Sequence, residues 1–364
     1  MLITPEFTFL DGRLKTGLGI ETADGKVKRI FETQASGDQS PFLFMPGCHD
    51  LQVNGGGGVM LNGSPTADAL RTMQKAHASL GTTAILPTVI TDTAEVIDAA
   101  ADAAIEVKGE AGQLGLHIEG PHLAIERRGT HKPEFIRPLN ETTVRTVERL
   151  RHAGVTVVLT LAPELADRDL MGRMVAAGAI LAAGHSAATA AQAREGLDNG
   201  ISCFTHIYNA MPPMLSRAPG ILAAALLSEG YCGLIADGIH VDWDMVRIAL
   251  AARPKAGLTY LVSDAMATVG GPDHFVLYGQ KIFVRDGALV NAEGSLAGAH
   301  IDMVTSIANL HRKADVPLET AIAMATDVPR AAIGLKPQRI GAGAALADFI
   351  TLDEHLKYAP LEAA

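Results

Sequence analysis

Short apolar runs alternate with amphipathic segments along most of the chain, between about residues 42 and 334. The apolar runs have the length of buried strands and occupy residues 42–45 continuing to 53, 84–86, 114–118, 156–161, 179–183, 201–204, 233–236 and 258–262. Between them, apolar residues recur with helical spacing, for example over residues 66–80, 94–108, 141–152 and 242–252. Strands that alternate with helices indicate an α/β fold with a parallel sheet. Eight such units are the number found in a (β/α)8 TIM barrel, which is the predicted fold.

The first part of the chain has a different pattern, typical of antiparallel strands. Short alternating runs are separated by Asp11-Gly12 and by Asp24-Gly25. The pair Asp-Gly favours tight hairpin turns because both residues tolerate positive φ angles. We therefore predict hairpins at both positions.

Residues 341–352 contain similar β-like runs, so the two ends of the chain are expected to pair. The predicted organisation is one small β-sandwich domain, built from residues 1–44 and 340–364, beside a barrel that spans residues 45–339. The alternation breaks near residues 275–296, where a β-hairpin insertion is predicted after the eighth barrel strand.

Composition narrows the class of protein. The chain has 364 residues, of which 48% are hydrophobic and only 19% are charged, so a large core is expected. A formal net charge of −10 argues against nucleic acid or an anionic membrane as a partner. No apolar run is long enough for a membrane span, no signal peptide is evident, and three scattered cysteines suggest a reducing compartment. We therefore expect a cytoplasmic protein.

Two histidines follow predicted strands directly, His185 after residues 179–183 and His206 after residues 201–204. The carboxyl ends of barrel strands lie on one rim, so both imidazoles are expected to point into one cavity. Two converging imidazoles favour a divalent metal such as zinc. The alternative for either residue alone is an ordinary core or surface histidine.

Two carboxylates occupy similar positions. Glu119 ends the third predicted strand and would complete a three-ligand set with His185 and His206, which leaves an open position for water, as catalytic zinc requires. Asp264 ends the eighth strand, where a carboxylate beside the metal can take a proton from water and later return it. The alternatives are a salt-bridged carboxylate for Glu119 and a capping or turn aspartate for Asp264.

Three further residues are candidates for contacting a substrate. His131 lies in a loop after the third strand and could donate a hydrogen bond to a polarised carbonyl oxygen. Arg217, in a proline-rich segment, and His240 could form an anion site, because a guanidinium suits a phosphate. A solvated loop histidine and an exposed surface arginine are the alternatives.

Taken in order, these motifs identify a family. They are Pro46-Gly47 with Asp50-Leu51-Gln52-Val53-Asn54-Gly55, His117-Ile118-Glu119-Gly120-Pro121, Gly129-Thr130-His131, Leu161-Ala162-Pro163-Glu164, Gly184-His185-Ser186, Thr205-His206-Ile207-Tyr208-Asn209-Ala210-Met211, Ala236-Asp237-Gly238-Ile239-His240-Val241-Asp242 and Ser263-Asp264-Ala265. Over nearly its whole length the chain resembles the N-acetylglucosamine-6-phosphate deacetylases of the amidohydrolase superfamily, which are metal-dependent (β/α)8-barrel hydrolases.

The resemblance implies roles for residues of this chain. It implies that Glu119, His185 and His206 bind one divalent metal. We expect this metal to be zinc, with iron or another divalent metal as the alternative. Asp264 would be the proton shuttle, and His131 would assist at the acetyl carbonyl. The sugar-phosphate pocket would be lined by Thr130, Asn209, Ala210, Arg217, Asp237, His240, Leu296, Ala297 and Gly298. The family is typically homodimeric, which would allow Arg217 and His240 to serve the neighbouring subunit's site.

The activity implied is hydrolysis of the acetamide of N-acetyl-D-glucosamine 6-phosphate to D-glucosamine 6-phosphate and acetate, in amino-sugar catabolism or cell-wall sugar recycling. The rivals are the same reaction on the galactosamine epimer, a cyclic-amide or dipeptide amidohydrolase, and a non-catalytic sugar-phosphate sensor. Three features, at four positions, depart from the common pattern. Gln52 and Asn54 replace the His-x-His of two-metal relatives, which favours one metal, and His49 and His122 stand where apolar residues are usual.

Overall fold

Both ends of the chain build one small β-sandwich. The structure, a computed structural model, describes residues 1–292 and 294–362. The first six strands are β1 (Leu2–Ile3), β2 (Phe7–Leu10), β3 (Arg13–Lys15), β4 (Leu18–Ala23), β5 (Lys26–Glu32) and β6 (Leu43–Pro46). The predicted Asp-Gly hairpins join β2 to β3 and β4 to β5, with φ angles of 53° at Asp11 and 52° at Asp24.

The barrel begins directly after β6. Its elements, with a short hairpin after the first strand, are β7 (Cys48–Val53), β8 (Gly55–Gly56), β9 (Val59–Met60), α1 (Ala67–Ala78), β10 (Thr82–Ile90), α2 (Ala94–Glu106), β11 (Gly115–Glu119), α3 (Glu141–His152), β12 (Thr156–Leu161), α4 (Arg168–Ala176), β13 (Ile180–Ala183), α5 (Ala190–Asp198), β14 (Ile201–Phe204), α6 (Gly220–Leu227), β15 (Tyr231–Leu234), α7 (Trp243–Ala252) and β16 (Thr259–Leu261). The eight parallel strands run in the order β7, β10, β11, β12, β13, β14, β15, β16. A parallel bridge from Val53 to Ala265 joins the two ends of this sheet, so the predicted barrel is confirmed.

Packing explains why the barrel closes. Its interior is filled by one apolar cluster that includes Leu51, Leu86, Val158, Ile235 and Tyr260, while a larger cluster fills the space between strands and helices. Side-chain caps begin many of the helices, as at Thr66, Asn140 and Asp242, where a side-chain oxygen accepts an otherwise unpaired backbone N–H. In the described part of the chain, no helix has the length and apolar character needed to cross a membrane.

The insertion after the eighth strand is larger than a hairpin. It is a four-stranded antiparallel sheet of β17 (His274–Leu277), β18 (Gln280–Arg285), β19 (Ala288–Val290) and β20 (Leu296–Ala299). The chain then forms α8 (Met303–Lys313), α9 (Leu318–Ala325), α10 (Asp327–Ala332) and β21 (Phe349–Leu352). Strand β21 pairs with β6 in the sandwich, so the two chain ends meet as predicted.

Several predicted strands begin or end one or two residues away from the observed ones, and two differ more. Residues 42–53 form two strands, because the chain leaves the sandwich after Pro46 and enters the barrel at Cys48; Gly47 between them has no room for a Cβ beside Thr83. The second barrel strand runs to Ile90 rather than ending at residue 86, and Pro87 is accommodated at an irregularity in the pairing with β7. Within the ranges predicted from the sequence, position 293 and positions 363–364 lie outside the described residues.

Candidate active site

The three predicted metal ligands converge at the carboxyl ends of their strands. Glu119 ends β11, and His185 and His206 lie just after β13 and β14. Oε1 of Glu119 lies 3.1 Å from Nε2 of His185 and 3.0 Å from Nε2 of His206, and the two Nε2 atoms are 3.0 Å apart. All three side chains are buried. The fold therefore gathers one oxygen and two nitrogens around a single point.

The atoms in this group suit a cation. Nδ1 of His185 donates to the backbone carbonyl of Arg127 at 2.9 Å, so in the neutral ring Nε2 carries a lone pair toward Glu119 and His206. Nδ1 of His206 is buried and has no hydrogen-bond partner among the described residues. A divalent metal between the three atoms would satisfy lone pairs that otherwise repel one another, so the residues present fit such an ion.

The pKa values of Glu119 and His206 also indicate that the group suits a cation. Burial by itself would raise the pKa of Glu119, but hydrogen bonds from His185 and His206 and their charges hold that pKa well below its ordinary value. Although burial opposes it, pairing with the Glu119 carboxylate raises the pKa of His206. The ionised carboxylate thus favours positive charge beside it, either as a proton on an imidazole or as a bound cation.

Asp264 lies beside this group and is held by two amides. Nε2 of Gln52 lies 3.1 Å from Oδ1 of Asp264 and 3.2 Å from both carboxylate oxygens of Glu119, and Nδ2 of Asn54 donates to Oδ1 of Asp264 at 2.6 Å. The amides therefore act as donors to the two carboxylates. Burial, together with the charge of Glu119, raises the pKa of Asp264 to about 6, which suits a group that exchanges protons near neutral pH.

The backbone at the site is strained. His185, His206 and Asp264 have φ angles of 48°, 27° and 51°, in the left-handed region that L-residues with a Cβ rarely adopt. Such conformations cost of order 1–3 kcal/mol each and persist where the surrounding structure enforces them. Three of the residues chosen from the sequence thus share a conformation that is concentrated at functional sites.

His131, on the loop that follows β11, lies beside the three predicted metal ligands. Its ring centroid is 4.4 Å from that of His185, and its Nδ1 lies 2.7 Å from the hydroxyl of Thr91. Burial, together with the charge of His185, lowers the pKa of His131 to about 3, so the ring is neutral. Ligand atoms of Glu119, His131 and His185 also lie within 4.8 Å of one another, so the metal-binding group that the fold offers consists of one glutamate and neighbouring histidines.

These residues open into a cavity of ≈ 320 Å³, within the usual range for small-molecule sites. The predicted residues that line it are Glu119, Thr130, His131, His185, His206, Asn209, Ala210, His240, Asp264, Leu296 and Gly298. Sequence reasoning did not assign Asn54, Ile90, Gly129, Met266 and Ser295 to the substrate pocket, although they also line it. Ile90 was missed because the second strand was predicted to end four residues too early.

Three predicted substrate contacts lie outside this lining. Asp237 lies behind His240, whose Nδ1 is 2.6 Å from Oδ2 of Asp237, so it orients the ring. Ala297 is fully buried behind the wall in the apolar cluster of the insertion. Arg217 is exposed, on the loop that follows β14. Within one chain, the cavity therefore receives His240 but not the arginine predicted to accompany it.

A model of the amidohydrolase family matches residues 43–363. The chain belongs to this family. It is 39% identical over 360 residues to N-acetylgalactosamine-6-phosphate deacetylase of Shewanella sp. (strain ANA-3), covering 94% of this chain and 89% of that protein. It is 38% identical over 293 residues to N-acetylglucosamine-6-phosphate deacetylase of Haemophilus influenzae, covering 79% and 76%.

Solved structures agree with this family assignment. The crystal structure of N-acetylglucosamine-6-phosphate deacetylase from Pasteurella multocida matches with a TM-score of 0.90 and 30% identity, over 98% of this chain and 96% of that one. A variant of the Mycobacterium smegmatis enzyme in complex with N-acetyl-D-glucosamine-6-phosphate matches with a TM-score of 0.89 and 27% identity, over 98% and 96%. The predicted resemblance to the N-acetylglucosamine-6-phosphate deacetylases is thus confirmed.

The two unusual histidines of this amidohydrolase lie away from the metal-binding group. His49 is near the start of β7, at the opposite end of that strand, with Nδ1 3.0 Å from the carbonyl of Gly47 and Nε2 2.8 Å from Nη1 of Arg330. His122 bonds the carbonyl of Arg137 and the hydroxyl of Thr143, each at 3.0 Å. Both rings are buried and have partners at both nitrogens, which is typical of structural residues.

Proposed function

We propose that this chain hydrolyses the acetamide of N-acetyl-D-glucosamine 6-phosphate to D-glucosamine 6-phosphate and acetate. The observation that carries the proposal is the convergence of Glu119, His185 and His206 beside a proton-accepting Asp264 in one cavity. The names of the relatives and solved structures supply the substrate class. The reaction would belong to amino-sugar catabolism or cell-wall sugar recycling.

Each residue has a task that its surroundings support. Asp264, whose pKa is about 6, accepts a proton from the attacking water. The water oxygen bonds to the acetyl carbon, and His131 stabilises the oxyanion with a hydrogen bond. Asp264 then passes the proton to the amide nitrogen, the carbon–nitrogen bond breaks, and the amine leaves together with acetic acid, which ionises to acetate.

We propose that Glu119, His185 and His206 hold one divalent metal and that this metal is zinc. One carboxylate and two imidazoles are a usual protein ligand set for catalytic zinc. A metal held there supplies a Lewis acid for the carbonyl oxygen and lowers the pKa of water. Gln52 and Asn54 are engaged as donors to carboxylates, which supports one metal rather than two.

The sugar and its phosphate are assigned to the outer part of the cavity. Thr130, Asn209 and Ala210 lie on loops at its mouth, and Leu296 and Gly298 form the wall supplied by the insertion. His240 is proposed to bind the phosphate, with Asp237 fixing its ring. Arg217 is proposed to reach the cavity of a neighbouring subunit in a homodimer, which would explain why it is exposed here. We further propose that the enzyme is cytoplasmic.

The galactosamine epimer is the second candidate substrate, because the Shewanella relative named for it is 39% identical over 94% of this chain. The deciding experiment measures acetate release from both epimers by the purified, zinc-loaded chain. A higher kcat/KM for the glucosamine compound is expected. The opposite order would transfer the proposal to the epimer, and release from neither would overturn it.

A further inference from the structure

His131 differs from four other buried histidines in what its Nδ1 faces; in the remaining two, His77 and His206, Nδ1 has no hydrogen-bond partner among the described residues. In His49, His117, His122 and His185, Nδ1 lies 2.9–3.1 Å from a backbone carbonyl oxygen. A carbonyl only accepts, so the ring proton of each neutral imidazole must sit on Nδ1. Nδ1 of His131 instead faces the Thr91 hydroxyl at 2.7 Å, and a hydroxyl can donate.

The partner of Nδ1 decides which nitrogen of a neutral imidazole carries the proton. A neutral imidazole has one N–H, and His131 can donate to a carbonyl oxygen in the cavity only if that proton is on Nε2. This requires Nδ1 to accept from its partner. Of the five rings, only His131 has an Nδ1 partner that can donate, and it is the ring assigned to the oxyanion.

We propose that Thr91 is a positioning residue: its hydroxyl donates to Nδ1 of His131 and thereby places the ring proton on Nε2, where it can stabilise the oxyanion. This inference rests on the proposed deacetylase function, and it extends that function to a residue that does not line the cavity. His185, by contrast, keeps a bare Nε2 for the metal, because its Nδ1 donates to Arg127.

The surroundings of Thr91 favour donation from its hydroxyl to Nδ1 of His131. Among the described residues, the other acceptor near its hydroxyl is the carbonyl of Glu119 at 3.4 Å, a distance at which hydrogen bonds are weak. The carbonyl of Thr91 accepts from the Tyr278 hydroxyl at 2.5 Å, so the insertion holds the threonine in place. Thr91 is fully buried, and water therefore does not compete for its hydroxyl.

The test compares Thr91→Val, which removes the hydroxyl at nearly constant volume, with Thr91→Ser, which keeps it. Thr91→Val is expected to lower kcat by about 10- to 100-fold, as losses of a supporting hydrogen bond commonly do, with little change in KM or metal content. Thr91→Ser is expected to restore most of the activity. Thr82→Val is the matched control, because Thr82 is fully buried in the preceding strand and its hydroxyl has no partner among the described residues.

A second readout does not depend on activity. Nitrogen NMR of histidine-labelled, zinc-loaded wild-type protein, with His131 assigned from a His131→Gln variant, should show the proton on Nε2 of His131. In Thr91→Val this preference should be lost, while the signals of His117 and His122 stay unchanged. A proton found on Nδ1 in the wild type, or an unchanged kcat in Thr91→Val, would overturn the inference. If the wild type releases no acetate, the proposed function fails, and the NMR result still decides the tautomer.

Discussion

Asn54 donates a hydrogen bond to Oδ1 of Asp264 at 2.6 Å, although the two residues are 210 positions apart in the chain. The contact joins the first barrel strand to the segment after the eighth, where the ring closes. It also explains the Gln-x-Asn pattern. The amides of Gln52 and Asn54 hold the carboxylates of Glu119 and Asp264 in place, since two buried carboxylates side by side would otherwise repel each other.

Replacing Asp264 with asparagine should abolish turnover. The amide cannot take a proton from water, and the loss should be at least about 100-fold, the lower end of what general acid–base catalysis contributes. Metal content, measured by elemental analysis, should stay at the wild-type level because Asp264 is outside the proposed ligand set. Asp198→Asn, at the exposed end of α5, serves as the control and should retain full activity. Full activity in Asp264→Asn would remove the proton-shuttle role.

The pH profile of kcat/KM should have an acidic limb near pH 6. The pKa of Asp264 is raised to about 6, and the base acts only when deprotonated, so activity should fall as the pH drops through this value. Asn54→Ala removes a hydrogen bond that stabilises the charged form. The pKa of Asp264 should then rise and the limb should move to higher pH. A limb that stays in place or moves to lower pH would contradict the assignment.

Removing the metal should remove activity and lower the melting temperature. A ligand that binds only the folded state stabilises it, so chelation should reduce Tm and added zinc should restore both Tm and turnover. Glu119→Gln should bind far less metal than wild type, because the amide brings no charge to the site. Glu126→Gln, an exposed residue nearby, should bind a full complement. Undiminished activity after complete chelation would refute the metal proposal.

Gly298→Ala should damage activity more than Gly279→Ala does. Both glycines have positive φ angles, 69° and 79°, so alanine costs about 1–2 kcal/mol of backbone strain at either site. A Cβ at Gly279 meets open space, whereas one at Gly298 would clash with Met266 in the cavity wall and lie 3.0 Å from the carbonyl oxygen of Asp264. Melting temperatures and kcat of both variants provide the measurement. Equal kcat values would show that this wall does not position Asp264.

Mixing two inactive variants tests the proposed sharing of Arg217 between subunits. In a hybrid dimer of Asp264→Asn and Arg217→Ala chains, one site would lack both groups and the other would be intact. Random pairing should then recover about a quarter of wild-type activity, since half of the dimers are hybrids with one working site. If the mixed and refolded chains recover no activity, or if the Arg217→Ala variant is fully active, Arg217 does not contribute to the neighbouring subunit's site.

Much of the site was predictable from local pattern. Glu119, His185, His206 and Asp264 each follow an apolar strand, and in a parallel barrel such residues must share one rim. His131 was also predicted, on a loop, but nothing in the sequence around it indicates that Thr91, forty positions earlier, holds its Nδ1. In the sequence, Ile90 and Met266 have the pattern of ordinary core residues. Apolar side chains that line a cavity cannot be told from those of the hydrophobic core by sequence pattern.

The sequence by itself determined the rhythm of eight strand–helix units, the two Asp-Gly hairpins and the polar residues at the strand ends. These follow from hydrophobic periodicity and turn chemistry, which act over a few neighbouring residues. Only the tertiary structure decided that the strand is split at Gly47, that the insertion has four strands and that it supports Asp264 through Ala299. It also decided which hydrogen-bond partner faces each histidine. Those features depend on contacts between segments far apart in the chain, and the pattern of any one segment does not specify its partner.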